Sequence, residues 1–375
     1  MTIKRSIQDT IERGLFKGKI AIIYGARQVG KTTMVKEIQK KYAENSSYFN
    51  CDEPDIRDAL TNKTSTEIKA FIGRKRLVII DEAQRVENIG LTLKLIADNF
   101  KDIQVIATGS SSFDLSNKIA EPLTGRKNEY YLYPFSLEEL RNTYSDLEMD
   151  RLLERRMIYG MYPEITRDGE DSEKKLKSLA FSYAYKDVLQ YQHIKSPEVL
   201  EKLLKALALQ IGCEVSYNEL AGLVGVSKQT VENYVQLLEK AFIIFRIGPF
   251  SKNLRNELKK LRKIYFYDTG IRNALINNFN PFDLRTDVGN LWENFMISER
   301  IKRNNSRGLD ANMYFWRTQK QEIDYVEEKG GILSAFEFKW KKDSFKKPKI
   351  FLDAYPGSAI ELVNKDSYKK FIGLD

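Results

Sequence analysis

Residues 17–42, KGKIAIIYGARQVGKTTMVKEIQKKY, constrain this chain more than any other stretch. A short apolar run rich in β-branched residues passes through a glycine loop into a helical pattern. Gly25-Ala26-Arg27-Gln28-Val29-Gly30-Lys31-Thr32 satisfies the phosphate-loop pattern in the strand-loop-helix context that the pattern requires. The residue types follow from the chemistry. Glycines let backbone N–H groups approach phosphate oxygens, Lys31 brings positive charge to the β/γ oxygens, and Thr32 offers a hydroxyl to Mg²⁺. The N-terminus of the following helix, which opens with Lys31, Thr32 and Thr33, adds its dipole. The reading is a site for ATP with Mg²⁺.

Downstream, RLVIIDEAQRV is a buried-strand run ending in adjacent acids. After a phosphate loop, Asp81 is expected in the Mg²⁺ shell, and Glu82 is expected to orient or deprotonate the attacking water. DIQVIATGSSS supplies another buried strand, whose end at Thr108, Gly109 and Ser110 can sense the γ-phosphate or hold the water. The alternative for that end is a plain turn.

With 375 residues the chain is too long for one compact core. Its 61 basic and 52 acidic residues give a formal charge of +9, which favours a polyanionic partner. Two cysteines, Cys51 and Cys213, lie far apart without thiol or histidine companions at ligand spacing. That excludes a Cys/His zinc site and a disulfide scaffold and suits a reducing cytosol. The single histidine, His193, reads as a helix-end residue rather than a catalytic one. Apolar runs such as IAIIY and AFIIF are too short to span a membrane, and the N-terminus lacks the apolar core of a signal peptide. A cytoplasmic protein is expected.

The motifs GARQVGKTT, VIIDEAQ, ATGSSS, LTGRKNEYYLYPFSLEEL and YGMYPEI occur in that order. Together they resemble the AAA+ branch of phosphate-loop ATPases, and within it a prokaryotic ATPase family whose C-terminal half is commonly an uncharacterised domain. The resemblance covers nearly the whole chain. It implies an α/β P-loop domain that binds and hydrolyses ATP. It also implies that Arg126, after the polar-ended strand, completes a neighbour's active site in trans, which requires a homo-oligomer or ring. The competing role for Arg126 is an ion pair with a local acid. DEAQ also resembles a helicase box, but the other helicase signatures do not follow.

Residues 146–197 are helical in pattern and read as a connector or lid. Tyr162-Pro163-Glu164 and Tyr185-Lys186-Asp187 stand out there only through the resemblance and have no assigned chemistry. In EVSYNELAGLVGVSKQTVENYVQLLEKAFIIFRI, Ala221 to Gly225 gives a helix-turn-helix step. Ser227 is positioned to cap a second helix whose Val231, Val235 and Leu238 share one face, leaving Lys228, Gln229 and Asn233 outward. FIIFRIG and KIYFYD can pair as a β-wing around a loop with basic residues at 252, 255, 259, 260, 262 and 263. A winged helix over 198–268 is expected, binding nucleic acid, with DNA ahead of RNA, or docking protein.

Toward the end of the chain, DVGNLWENFMISERIKR reads as an amphipathic helix carrying Glu293, followed by strands NMYFWRT, QEIDYVEE and ILSAFEFKW. A two-residue loop at Lys329-Gly330 or Gly330-Gly331 puts Asp324 on the face of Glu337 and Lys339, because the side-chain period of a strand is two. Ile323, Tyr325, Phe336, Phe338 and Trp340 would then share the buried face. The order Glu on a helix, Asp on a strand, then Glu-x-Lys resembles the restriction-endonuclease-like fold. There Asp324 and Glu337 would bind a metal ion, Glu293 would support that site, and Lys339 would activate water. The proline that usually precedes the metal-binding Asp is absent, and a half-buried strand with one solvated side gives the same alternation.

The expected architecture is therefore α/β in four parts: a P-loop ATPase domain at 1–145, a helical connector at 146–197, a winged helix at 198–268 and a nuclease-like domain at 269–375. Its function is ATP-driven action on nucleic acid with a metal-dependent nuclease centre, or a non-nucleolytic ATP-dependent switch. A protein remodeller would need an aromatic pore loop, and no residue in the sequence identifies one.

Overall fold

The computed structural model describes residues 3–110, 115, 118–119, 121–167, 171–191, 196–251 and 261–374. His193, Ser111, Ser112 and the basic residues at 252, 255, 259 and 260 lie outside the described residues, as do the side chains of Tyr185-Lys186-Asp187. The chain divides into two compact units, Met1–Phe135 with Lys240–Phe242, and Ser136–Glu239 with Ile243–Asp375.

The first unit is built on a parallel sheet of β1 (Ile20–Gly25), β2 (Ser46–Asn50), β3 (Leu77–Asp81), β4 (Gln104–Gly109) and β5 (Lys127–Leu132). Their spatial order is β2-β3-β4-β1-β5. β1, β3 and β4 are buried along their whole length, which is why they read as unbroken apolar runs rather than alternating ones. Inserting β4 between the loop strand β1 and the acidic strand β3 has a chemical consequence. Tyr24 pairs with Gly109 and Ile80 with Ala107, so the ends of all three strands open onto one edge. That edge is where open parallel sheets bind ligands.

The second unit holds seven strands: β6 (Glu214–Val215), β7 (Ile244–Pro249), β8 (Arg262–Phe266), β9 (Asn312–Arg317), β10 (Glu322–Lys329), β11 (Ile332–Phe338) and β12 (Ala359–Val363). They form one sheet in the order β12-β11-β10-β9-β7-β8-β6. The expected hairpin of β7 and β8 forms, with Ile244 opposite Phe266 and Ile247 opposite Lys263. It is not a free-standing wing, since β7 also pairs in parallel with β9 through Gly248–Tyr314 and Pro249–Phe315. Helices Tyr217–Val224 and Lys228–Lys240 precede it. Gly225 ends the first of these in the left-handed region, and Ser227 Oγ accepts from Thr230 N at 3.1 Å to cap the second. Val231, Val235 and Leu238 are fully buried, while Lys228, Gln229 and Asn233 are exposed.

Two expectations about the C-terminal strands are refined. Gly330 and Gly331 both have positive φ, 58° and 82°, and close a two-residue hairpin with Lys329 opposite Ile332. The even loop brings Asp324 to the side of Glu337. A bulge in β10 between Ile323 and Val326, however, adds one residue against β9. Ile323 thereby joins Trp316, Val326, Ala335, Phe351 and Ile360 on one side of the sheet, away from Tyr325. Tyr325, Phe336 and Phe338 pack around Phe371 instead, and Trp340 packs on Trp292.

The helix Val288–Ser306 is buried on nearly every side, not amphipathic, because it runs through the interior of the second unit. Its buried polar side chains have partners, as burial demands. Asn294 accepts from Phe266 N and donates to Phe266 O, both at 2.7 Å, and Glu299 accepts from Leu137 N at 2.7 Å.

The YGMYPE stretch also acquires a physical reason. Gly160 has φ of 75°, and a Cβ there would lie 2.0 Å from Asp268 Oδ1. Asp268 in turn accepts from Met161 N at 2.7 Å and caps the helix Thr269–Leu275 through Ile271 N at 3.1 Å. Asn273 adds a bond to the carbonyl of Ile158 at 2.8 Å. The motif is a packing joint between two helical segments. Gly160→Ala is expected to cost at least ~1–3 kcal/mol from backbone strain alone, with the Asp268 clash added. Thermal denaturation would read this as a fall of several degrees in Tm.

Candidate functional site

The edge opened by β1, β4 and β3 assembles most of the expected nucleotide site around one carboxylate. Asp81 Oδ2 accepts from Thr32 Oγ1 at 2.7 Å and from the Tyr48 hydroxyl at 2.5 Å, and Oδ1 accepts a short bond from Thr108 Oγ1. Asp81 is 2 % exposed, so each of these bonds replaces lost hydration. Lys31, also buried, donates to the carbonyls of Gly25 and Ala26 at 2.8 and 2.9 Å. The loop is itself held from behind: the Arg5 guanidinium donates to Val29 O at 2.6 Å and also bonds Tyr133 O. Arg27 is half-buried, and Gln28 and Thr33 are exposed on the loop and the first helical turn.

Glu82 lies one residue beyond, in the left-handed region at φ 53°, with its N–H donating to Thr108 Oγ1 at 3.2 Å. Its carboxylate accepts from Gln84 Nε2 at 2.5 Å, and the same amide nitrogen reaches Ser110 Oγ at 3.0 Å. Tyr48, Gln84 and Arg5 were not legible as site residues. Tyr48 lies on an edge strand, Arg5 lies far from the loop in sequence, and Gln84 is visible only as part of DEAQ. Burial and the neighbouring Asp81 carboxylate raise the Tyr48 pKa, which keeps its hydroxyl a donor.

A hydroxyl and a carboxylate oxygen in contact suit Mg²⁺, a hard cation that takes few protein ligands and completes its shell with water and phosphate. Thr32 and Asp81 would hold it, and the ion would neutralise charge on the phosphates. Arg126 lies elsewhere, with its Nε 2.6 Å from Asp98 of the same chain, so within one chain it takes the local ion pair.

The second unit brings Glu293, Asp324, Glu337 and Lys339 to one place, but a fifth residue stands among them. Lys263 on β8, 3 % exposed, has its Nζ 2.8 Å from Glu322 Oε1, 3.3 Å from Glu293 Oε1 and 4.0 Å from Asp324 Oδ1. Lys339 Nζ lies 2.7 Å from Glu337 Oε1 and 4.0 Å from Asp324 Oδ2. Lys263, counted from sequence among the basic residues of the loop, is thus buried in this cluster, while Arg262 is half-buried. Among the described residues no group of three or more His, Cys, Asp or Glu side chains is arranged to hold a metal ion.

The electrostatics follow from crowding. Burial, and then the Asp324 charge, push Glu293 up to about 8, against the pull of Lys263 and of the Tyr265 hydroxyl at 2.5 Å. Burial and Asp324 likewise raise Glu337, whose Oε2 is buried without a hydrogen-bond partner. For Lys263 burial works against the charge, but Glu293, Asp324 and Glu322 outweigh it and raise its pKa. A cleft of about 410 Å³ opens beside the cluster, lined by Glu293, Asp324, Lys339, Trp340, Lys341 and Lys342 among others.

Residues 17–141 match the family model of an AAA domain. Most of the first unit is thus similar to AAA-type P-loop ATPase domains. Residues 150–281 and 288–370 match two domains of unknown function, DUF8612 and DUF4143. An uncharacterized protein of Mycobacterium tuberculosis is 26% identical over 342 residues, covering 90% of this chain and 74% of the relative. One from Methanocaldococcus jannaschii is 25% identical over 341 residues, covering 85% and 74%. Among solved structures, a Walker-type ATPase of Pyrococcus abyssi aligns with a TM-score of 0.52 and 15% identity over 73% of this chain and 96% of its own, a likeness of fold.

The raised Glu293 pKa carries a pH signature. Between the ordinary value near 4.5 and about 8, the folded chain keeps a proton that the unfolded chain has released. Its contribution to stability is therefore full below about pH 4.5 and lost as pH rises through 8. Glu293→Gln mimics the neutral form at every pH. Thermal melts at pH 5 and pH 8.5 should show the variant gaining a few degrees on wild type at the higher pH; a constant difference would mean that Glu293 titrates normally.

Proposed function

We propose that the chain is a cytoplasmic ATP-dependent switch that holds nucleic acid and does not cut it. The carrying observation is the bonding of Thr32, Thr108 and Asp81 into one unit beside Lys31, which links the Mg²⁺-binding position to the strand end that senses the γ-phosphate. In this reading Glu82 orients the attacking water, and release from Gln84 frees its carboxylate for that task. Arg126 would leave Asp98 to serve a neighbouring copy, which makes hydrolysis depend on a homo-oligomer.

Support for a polyanionic partner comes from surface charge. Lys341, Lys342, Lys346, Lys347 and Lys349 are all exposed within nine residues, and Lys228, Gln229 and Asn233 are exposed on the second helix of the helix-turn-helix. Such groups bind phosphate backbones through counterion release, with affinity that falls steeply with salt. DNA is the favoured ligand over RNA because the helix pair matches a duplex-groove reader. The nuclease alternative draws on the meeting of Glu293, Asp324, Glu337 and Lys339, but the Lys263 ammonium among them argues for binding without cleavage.

Hydrolysis assays test the first half. Lys31→Ala should lose both ATP binding and turnover. Glu82→Gln should keep binding while turnover falls by ~10²–10⁴-fold, the usual worth of a positioned base. Unchanged turnover in both variants would refute the assignment. Fluorescence anisotropy with labelled DNA and RNA tests the second half: binding should weaken with salt and persist in EDTA, and its absence at low salt would remove nucleic acid from the proposal.

A further inference from the structure

We infer that Lys263 takes the place of a divalent cation in the C-terminal centre, which is therefore an ion cluster with its counter-charge built into the chain. Three carboxyl groups approach its ammonium from two elements: Glu293 from the helix Val288–Ser306, and Glu322 and Asp324 from β10. Lys339 faces the cluster from beyond β11, so each oxygen of Asp324 has an ammonium at 4.0 Å. Two ammonium groups supply the same +2 that one divalent ion would bring to these acids.

Geometry separates the two solutions. Mg²⁺ requires oxygens at ~2.1 Å in near-octahedral array. Here the nearest oxygens stand 2.8 and 3.3 Å from nitrogen, which are hydrogen-bond and ion-pair distances. A metal ion would have to displace the ammonium, and the ammonium has no easy exit. Lys263 pairs with Ile247 of β7 on one side and Glu214 of β6 on the other, and its Nζ lies 5.5 Å from the Phe315 ring centroid. Withdrawing it would leave Glu322, Glu293 and Asp324 without their shared ammonium and empty the space beside Phe315. The restriction-endonuclease-like constellation is thus assembled and then filled by the protein itself, while the cleft keeps the exposed Lys341 and Lys342 at its border.

The inference is independent of ATP chemistry and can be tested on nucleotide-free protein. Mn²⁺ is titrated by the loss of its free-ion paramagnetic resonance signal into wild type, Lys263→Ala, Lys263→Met, and each Lys263 variant combined with Asp324→Asn. Thermal melts with and without Mn²⁺ run in parallel. Wild type should show no Mn²⁺ binding that depends on Asp324. The Lys263 variants should melt lower, gain a site at least tenfold tighter than any in wild type, recover Tm with Mn²⁺, and lose that recovery with Asp324→Asn. Lys263→Met keeps the side-chain volume and provides the reading if the alanine variant fails to fold. Asp324-dependent Mn²⁺ binding in wild type, or a folded Lys263 variant that gains neither site nor Tm, would overturn the inference.

Discussion

Much of the first unit depends on one buried carboxylate accepting three hydroxyl hydrogen bonds. Asp81 sits at the end of β3, Thr108 at the end of β4, Thr32 at the start of the loop helix and Tyr48 on β2. These bonds join strands whose side chains would otherwise meet only through apolar packing. Because Asp81 is nearly inaccessible, loss of any one donor leaves an acceptor oxygen under-solvated, a situation that costs more than an ordinary surface bond. The strand order makes the arrangement available: with β4 between β1 and β3, a single polar residue at its end reaches both the acid and the backbone of Glu82.

The second unit solves a different electrostatic problem. Its central helix carries Glu293, Asn294, Glu299, Lys302 and Asn304 into the interior, where each needs a partner. Asn304 and Arg300 converge on Glu327, and Lys302 bonds Glu299 at 2.7 Å. Buried polar networks of this kind fix one arrangement of the surrounding elements more than they add stability. That accounts for a helix whose sequence looks two-faced while its surroundings are interior on almost every side.

What the sequence made legible was local. The phosphate loop, the acidic strand end, the Ser227 cap and the even hairpin at Gly330-Gly331 each depend on residues a few positions apart, and each is found. What stayed hidden depends on distant segments. Tyr48 and Arg5 join the nucleotide site only because sheet order and the N-terminal segment bring them there. The β10 bulge that moves Ile323 off the expected face shows in the sequence only as the adjacent pair Tyr325-Val326, which interrupts the alternation. Lys263 misled most. In a run of lysines and arginines it is indistinguishable from its neighbours, and only the pairing of β8 with β7 and β6 turns it inward.

The parallel pairing of β7 with β9 joins positions 248 and 314, and it has a consequence for how the second unit can be divided. A fragment beginning at Phe282 would retain β9 to β12 but expose the backbone edge of β9, a ready template for association with other chains. It would also leave behind the lysine that balances Glu293, Glu322 and Asp324. The last hundred residues therefore share both sheet pairing and ion cluster with the hairpin before them. The C-terminal cluster thus draws its central ammonium from the hairpin that precedes it.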